Sequence, residues 1–514
     1  VIGWILSRLN VPLLLLLLAY FVVGALYAVR TPNWQAPDEP AHYNYIAQIV
    51  RDGCCPVIEP GDWDKAYIDR LTTSEFEPAL LGELQTLQYE DHQPPLYYLL
   101  SSVVYRLTNG SVHALRLFSV VIGIGVVAVA YAVTRTLLSP PLAAAAAAFV
   151  AFVPQHLAML AAVNNDGLSE FVIGLTLLLT IYYLRGSAPI SVYWITGVLM
   201  VGAILGGVAN GLGGGGDAFI LFLVLALVAI VAHRAMMDWL EYGHDIKAET
   251  WALGSLVGLG LLTKLNTAFL AGVIPLIIVL RWWFFRRTSD ISPLRRQQIR
   301  SLLVSLALFI IPALLLAGVW WMRNLNVYGS PDFLGLGRHD LVVGDQPRTA
   351  VQIAGVGAGQ YLWTSLERTF ISFWGQFGWM ALPLNGWMLW LVIGFQVLVI
   401  SGWAIRLDVP RAAPDPPHER WRGLAWMLLA LTAVSAVLQY IYYNTEFYQM
   451  QGRYLFPLLI PLGMWSALGL EGWRKLIFGQ GEATRWFVVV PVLVFLPLNL
   501  YVVWRVIPLL APGN

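Results

Sequence analysis

Blocks of about twenty apolar residues recur along almost the whole chain, each closed by a short polar gap, and blocks of that length cross a bilayer as helices. They predict spans at 5–29, 112–137, 141–162, 168–185, 190–210, 218–234, 250–263, 266–285, 301–322, 384–405, 422–441, 453–470 and 486–506, about thirteen in all. The first block lacks a small-residue cleavage site before Arg30 and is too long for a signal peptide, so it reads as a retained helix. "PPLYYLLSSVVYRLTNG", Pro94 to Gly110, is apolar over only about 14 residues, too few to span comfortably. Were it to cross, every later loop would change sides, so it is expected to lie in the interface or to re-enter. No repeat of fixed period is present, so the paired halves of a transporter are not evident.

Composition agrees with the pattern. The 514 residues are 58% hydrophobic and 12% charged, where soluble proteins carry about 25% charge, so the chain reads as an all-α polytopic membrane protein. The net charge of +1 matters less than where the charges lie. Arg281 to Arg300 is the densest basic block, followed by Arg406 to Arg422 and Arg474 to Arg485. Counting spans puts all three on one side, which the positive-inside bias makes cytoplasmic, together with the amino terminus. The expected divisions are a first span (1–29), an outer loop with interfacial helices (30–111), a transmembrane core (112–322), a second large outer loop (323–383) and carboxy-terminal spans (384–514). The cytoplasmic membrane is the expected location. The outer basic residues are scattered, which argues against nucleic acid as a partner. Cys54 and Cys55 are neighbours; such a pair closes only a strained ring, so two thiols are expected.

Sidedness makes the outer polar clusters informative. In "QAPDEPAHYNYIAQIVRDG", prolines bracket Asp38 and Glu39, whose carboxylates are placed to cap a helix from about Pro40 to Arg51. Asp38 and His42, four apart, share a face of it. "YEDHQPPLYY" (Tyr89 to Tyr98) again sets acids, a histidine and an amide against prolines and tyrosines. "VNNDGL" puts Asn164, Asn165 and Asp166 at the outer start of a span, where a turn and cap alone would account for them. In "GLLTKLNT", Lys264 sits in a break between two apolar segments, a costly place for an ammonium unless it snorkels or meets an anion. "WWMRNLNVYGSPDF" leaves Arg323 at an outer helix end, with Arg338, His339 and Arg348 following. Carboxylates and cations converging on one face suggest a base working near a bound phosphate.

These motifs resemble the GT-C superfamily of membrane glycosyltransferases, which includes the protein O-mannosyltransferases and the aminoarabinose transferase of lipid A. "PDEPAHY" looks like the family's acidic pair after the first span, and "HQPPLYY" approximates its "HPPL" motif with Gln93 inserted. "GLLTKLNT", "WWMRNLNVYGSP" and "VNNDGL" resemble further family segments. "PDEPAHY" with "QGRYLFPLL" is most similar to a bacterial branch with largely unassigned activity. The resemblance implies a GT-C-like fold and an inverting glycosyltransferase that takes a sugar from a polyprenyl-phosphate donor at the outer membrane surface. It implies Asp38 as general base, with Glu39, His42, His92, Gln93 and Asp166 on acceptor or sugar. It further implies Lys264 and Arg323 on the phosphate, with Arg338, Arg348 and Arg453 behind them. No cofactor is required by this chemistry. Some members use a divalent ion, for which Glu90, His92 and Asp166 are the candidate ligands. The acceptor, whether protein, glycan or lipid, is not named by the sequence.

Two other classes compete: a transporter or flippase for a lipid-linked sugar, and a catalytically silent scaffold in a larger membrane complex. "GLGGGGD" (Gly211 to Asp217) lacks the lysine and the strand context of a phosphate loop and reads as a turn. "SFWGQFGWM" (Ser372 to Met380) fits a membrane-surface anchor or a pocket wall, and "YYNTEFYQM" (Tyr442 to Met450) fits an aromatic belt or a surface on which sugars stack.

Overall fold

The computed structural model describes residues 10–186, 247–285, 295–407, 420–479 and 489–513, with the isolated residue 197. Among these, nine helices are long and apolar enough to cross a membrane, and a tenth crossing is made if the bent pair Pro140–Phe152 and Pro154–Leu160 counts as one. The protein is a multi-pass helical membrane protein. The block expected at 250–263 forms the helix Lys247–Leu261. The spans expected at 190–210 and 218–234, and the Gly211–Asp217 turn, lie outside the described residues.

Burial separates a central helix from peripheral ones. The apolar window of Asp166–Arg185 is 89% buried by other helices, whereas that of Val11–Arg30 is 33% buried and turns Leu14, Leu15 and Leu18 outward. Between Gly386–Leu407 and Leu459–Phe478 the backbones touch: a Cβ on Gly402 would stand 2.0 Å from the Gly469 carbonyl oxygen. Small residues at such crossings let dispersion contacts replace the hydrophobic drive that lipid removes.

The pair 140–160 bends by 68° where Pro154 interrupts it. Proline has no N–H to offer the Val150 carbonyl four residues back. His156 Nδ1 donates to that oxygen instead, at 2.6 Å, while its Nε2 lies 2.7 Å from Glu170 Oε2 on the central helix. Both side chains are buried, so a histidine and a glutamate deep in the bundle satisfy each other and hold the bend.

The polar gaps assigned to the outer side gather at one end of the bundle. There the first loop folds into Glu39–Asp52, Lys65–Thr73, a 3-10 turn at Pro78–Thr86, and Leu96–Thr108. The last is thirteen residues long, below spanning length, and packs against Glu39–Asp52 and Val112–Leu137. The second loop forms short helices at Leu336–Val342 and Thr349–Val356, a longer one at Ala358–Trp374, and a hairpin pairing Gln376–Phe377 with Leu382–Pro383. Phe373 and Trp374 are buried in the core, so these aromatics of the Ser372–Met380 stretch pack inside the bundle and are not a surface anchor. The two cysteines depart from expectation: Cys54 and Cys55 are joined as a disulfide between adjacent residues.

Candidate active site

Asp38 stands where the chain leaves the first span and turns into Glu39–Asp52, with a left-handed backbone (φ 64°) that aspartate tolerates better than most residues. Its carboxylate caps no N–H, contrary to the helix-cap reading. Oδ2 instead lies 2.5 Å from Arg453 Nη2, and Oδ1 accepts from the Tyr89 hydroxyl at 3.1 Å. Arg453 belongs to the turn Gly452–Leu458, more than four hundred residues away in sequence.

A second ion pair joins Lys264 Nζ to Asp166 Oδ1. Lys264 lies in the break after Lys247–Leu261, and Asp166 opens the central helix, its N–H bonded to Asn164 Oδ1 at 3.0 Å. The two pairs share one electrostatic neighbourhood with His42 and Glu90, for Arg453 and Lys264 sense each other, and His42 senses Asp38, Glu90, Asp166 and Lys264. His42 Nδ1 is 2.8 Å from the Tyr98 hydroxyl. Asn165 Nδ2 reaches Gln93 Oε1 at 3.3 Å and Tyr98 at 3.4 Å. The four paired side chains keep between 10% and 22% of their surface exposed, so the cluster is reachable from outside. Glu90 Oε2, Asn165 Oδ1, Asn266 Oδ1 and Arg453 Nε are buried with no protein partner, an uncommon state that a bound ligand would relieve.

Burial raises the Asp38 carboxyl, yet Arg453, with His42 and Tyr89 behind it, favours the anion more strongly and holds it below the ordinary 3.8. Burial, together with the negative charge of Asp38, lifts Glu90 above its usual range. Two carboxyls of one cluster are thus pushed in opposite directions, the pattern expected where one must stay ionised and the other can stay protonated. Burial also lowers His42, and it takes His92 down to about 4, so both imidazoles are neutral at pH 7.

Several expected site residues are engaged elsewhere. Glu39 is fully buried and forms a two-pronged pair with Arg116, Nε to Oε1 at 2.7 Å and Nη2 to Oε2 at 2.5 Å. It also accepts from the Trp34 and Val163 backbone N–H groups. It positions the chain beside Asp38 and is itself sealed from solvent. Arg116 further donates to the carbonyls of Ala28, Thr31 and Pro32, which ties the end of the first span to Glu39. Arg323 donates to the Cys55 and Pro56 carbonyls, Arg338 to that of Ile58, and Arg348 to Asp340 and Glu446. These three arginines fasten the loops to each other. The His92 ring packs on His339, with centroids 4.1 Å apart, and bonds back to Tyr89. Among the described residues no three histidine, cysteine, aspartate or glutamate side chains gather as a metal site, so Glu90, His92 and Asp166 do not form one.

Sequence reasoning missed Arg116, although an arginine inside an apolar span has to find a partner. Tyr89, Tyr98 and Asn165 stand within the polar clusters the sequence marks out, but no role was assigned to them there.

No curated protein matches the chain. Among solved structures, ArnT from Cupriavidus metallidurans bound to undecaprenyl phosphate is similar at 13% identity and TM-score 0.43, over 99% of this chain and 74% of that one. The Archaeoglobus fulgidus oligosaccharyltransferase in its apo form is similar at 13% identity and TM-score 0.43, and this chain covers 56% of its length. The oligosaccharyltransferase AglB of that organism, in complex with an inhibitory peptide and a dolichol-phosphate, is similar at 12% identity and TM-score 0.39, with 55% of its length covered. Residues 92–211, which include His92, Gln93 and Asp166, match the family described as dolichyl-phosphate-mannose-protein mannosyltransferase, and this match supports the resemblance to GT-C membrane glycosyltransferases that the motifs carry.

Proposed function

We propose that the chain is an inverting glycosyltransferase that moves a sugar from a polyprenyl-phosphate donor to an acceptor at the outer face of the cytoplasmic membrane. The observation that carries this reading is one accessible cluster holding the Asp38 carboxylate together with Arg453 and Lys264. Asp38 takes the proton of an acceptor hydroxyl as its oxygen attacks the anomeric carbon. The bond from that carbon to the phosphate oxygen breaks on the opposite face, and polyprenyl phosphate leaves with the electron pair. Lys264 and Arg453 stabilise the departing charge, so no separate acid has to protonate it. Glu90, protonated more readily than an ordinary carboxyl, is suited to hydrogen-bond a sugar hydroxyl. Incubating purified protein with radiolabelled polyprenyl-phosphate sugars and membrane extract tests the proposal: labelled acceptor is expected, and its absence across the panel counts against it.

Lys264→Ala is expected to weaken binding of polyprenyl phosphate about 10-fold to 100-fold, the scale of one charged hydrogen bond. Unchanged affinity would remove Lys264 from the phosphate site. The pH profile offers an independent check. A base acts when deprotonated, so the acid limb of kcat/KM should lie at or below about pH 4, the ordinary carboxylate range. Arg453→Ala removes the main influence that lowers the Asp38 carboxyl and leaves burial, which raises it, so the limb should move to higher pH. A limb that stays put would assign it to another group.

A further inference from the structure

A second polar cavity, of about 380 Å³, adjoins the Gly452–Leu458 turn that carries Arg453. Arg368, Gln376, Tyr448, Gln449 and Gln451 line it, with Met380 as an apolar surface. Two of these residues, Gln376 and Gln451, present side-chain carbonyl oxygens that are buried with no partner. The nitrogen of each amide is already used. Gln376 Nε2 donates to the Met380 carbonyl at 2.7 Å, and Gln451 Nε2 to Gln449 Oε1 at 2.7 Å. The Met380 carbonyl therefore fixes the open end of Gln376 as an acceptor, whereas Gln451 and Gln449 can turn over together, so the open end of Gln451 can present either an acceptor or a donor.

The walls are held firmly. Gln376 N–H donates to Gln155 Oε1 at 2.7 Å, and Gly452 N–H to Ser372 Oγ at 2.8 Å. A Cβ on Gly452 would come within 2.3 Å of the Phe373 nitrogen, so this turn lies flush on the end of Ala358–Trp374. Arg368 is exposed and donates to the Tyr448 hydroxyl at 3.2 Å, which marks the side open to water. The cavity has no carboxylate among its lining residues. One fixed acceptor, one amide end that can present either sense, an aromatic ring and no carboxylate favour a neutral ligand whose hydroxyls both donate and accept over an ammonium. The volume is at the lower end of ligand-site sizes.

We propose that this cavity is a sugar subsite for the acceptor, in which the Gln376 oxygen accepts from a ring hydroxyl, the Gln451 amide bonds a second one and Tyr448 supplies aromatic surface. It rests on the glycosyltransferase reading for the word acceptor; the sugar-binding claim stands on the cavity alone. The lipid-linked donor must bring its phosphate to Lys264 and Arg453. The polar cavity, reached from water and lined by Gln451, two residues before Arg453 in the chain, suits the second substrate.

The test uses the full chain in nanodiscs free of glycoside detergent, whose head group would compete. Saturation-transfer NMR with methyl α-mannoside and with maltose reads binding directly. Wild-type protein is expected to bind at least one of them, and Gln376→Met and Gln451→Met each to weaken that binding about tenfold, as loss of a neutral hydrogen bond does. Binding of radiolabelled polyprenyl phosphate should be the same in all three proteins. With an active assay, the variants should raise the acceptor KM and leave kcat nearly unchanged. If neither sugar binds the wild type, or if both variants bind as it does, the cavity holds only water and the subsite is overturned. Sugar binding lost in the variants with no transfer by the wild type would keep the subsite and sink the enzyme reading. Transfer with an unchanged acceptor KM in the variants would do the reverse. A variant that fails to fold leaves the wild-type binding result and the other substitution to decide.

Discussion

Asp38→Asn is expected to reduce sugar transfer by about 10²-fold to 10⁴-fold, the usual worth of a positioned general base, while donor binding persists. Asparagine is the suitable replacement because it also tolerates the left-handed backbone at φ 64°. Alanine would add conformational strain to the loss of the carboxylate. The amide can still face Arg453, but it cannot take a proton from an attacking hydroxyl. Monodispersity and donor affinity measured alongside turnover separate lost chemistry from lost structure. Wild-type turnover in a well-folded Asp38→Asn protein would show that the base is another group, with Glu90 the first to examine.

Arg116→Met should be the most destabilising substitution at this end of the bundle. The guanidinium makes two bonds to Glu39 and one each to the carbonyls of Ala28, Thr31 and Pro32, and the Arg116 and Glu39 side chains are both out of contact with solvent. Removing one partner of a buried pair leaves the other charge uncompensated, at a cost of about 3–5 kcal/mol. Glu39→Leu should cost a similar amount. The double variant should be milder than the sum of the two, with a coupling of about 1–3 kcal/mol, because no charge is then stranded. Unfolding in mixed micelles measures all three. Single variants within about 1 kcal/mol of wild type would mean the pair is not the fastener described here. The double variant should still transfer sugar poorly, since Asp38 is the residue next to Glu39 and loses its fixed position.

The spans were legible because lipid imposes a strong and local rule: every backbone polar group must be satisfied within the segment. Asp38, His42, Asp166, Lys264 and Arg453 were legible for a related reason, being polar residues at helix ends where apolar ones would be the default. The arginines show where such reasoning stops. Arg323, Arg338 and Arg348 look like phosphate ligands in sequence, but backbone carbonyls and nearby carboxylates bind arginine just as well. Only the loop fold decides between those partners. Glu39 was misjudged because its neighbour shares its chemistry, and a single peptide unit separates an accessible carboxylate from a sealed one. The His156–Glu170 pair was invisible because it serves a bend made by Pro154, a local geometric need with no spacing signature.

The two ion pairs of the cluster also bear on how a substrate would arrive. Before any ligand is present, Arg453 is matched by Asp38 and Lys264 by Asp166, so their fields largely cancel a few ångströms away. A site balanced in this way exerts little pull on a distant phosphate across water. On the proposed glycosyltransferase reading, capture of a lipid-borne donor would then depend on lateral diffusion within the leaflet, a two-dimensional search. Selectivity would be exercised at the last step, when the incoming head group competes with two resident carboxylates for their cations.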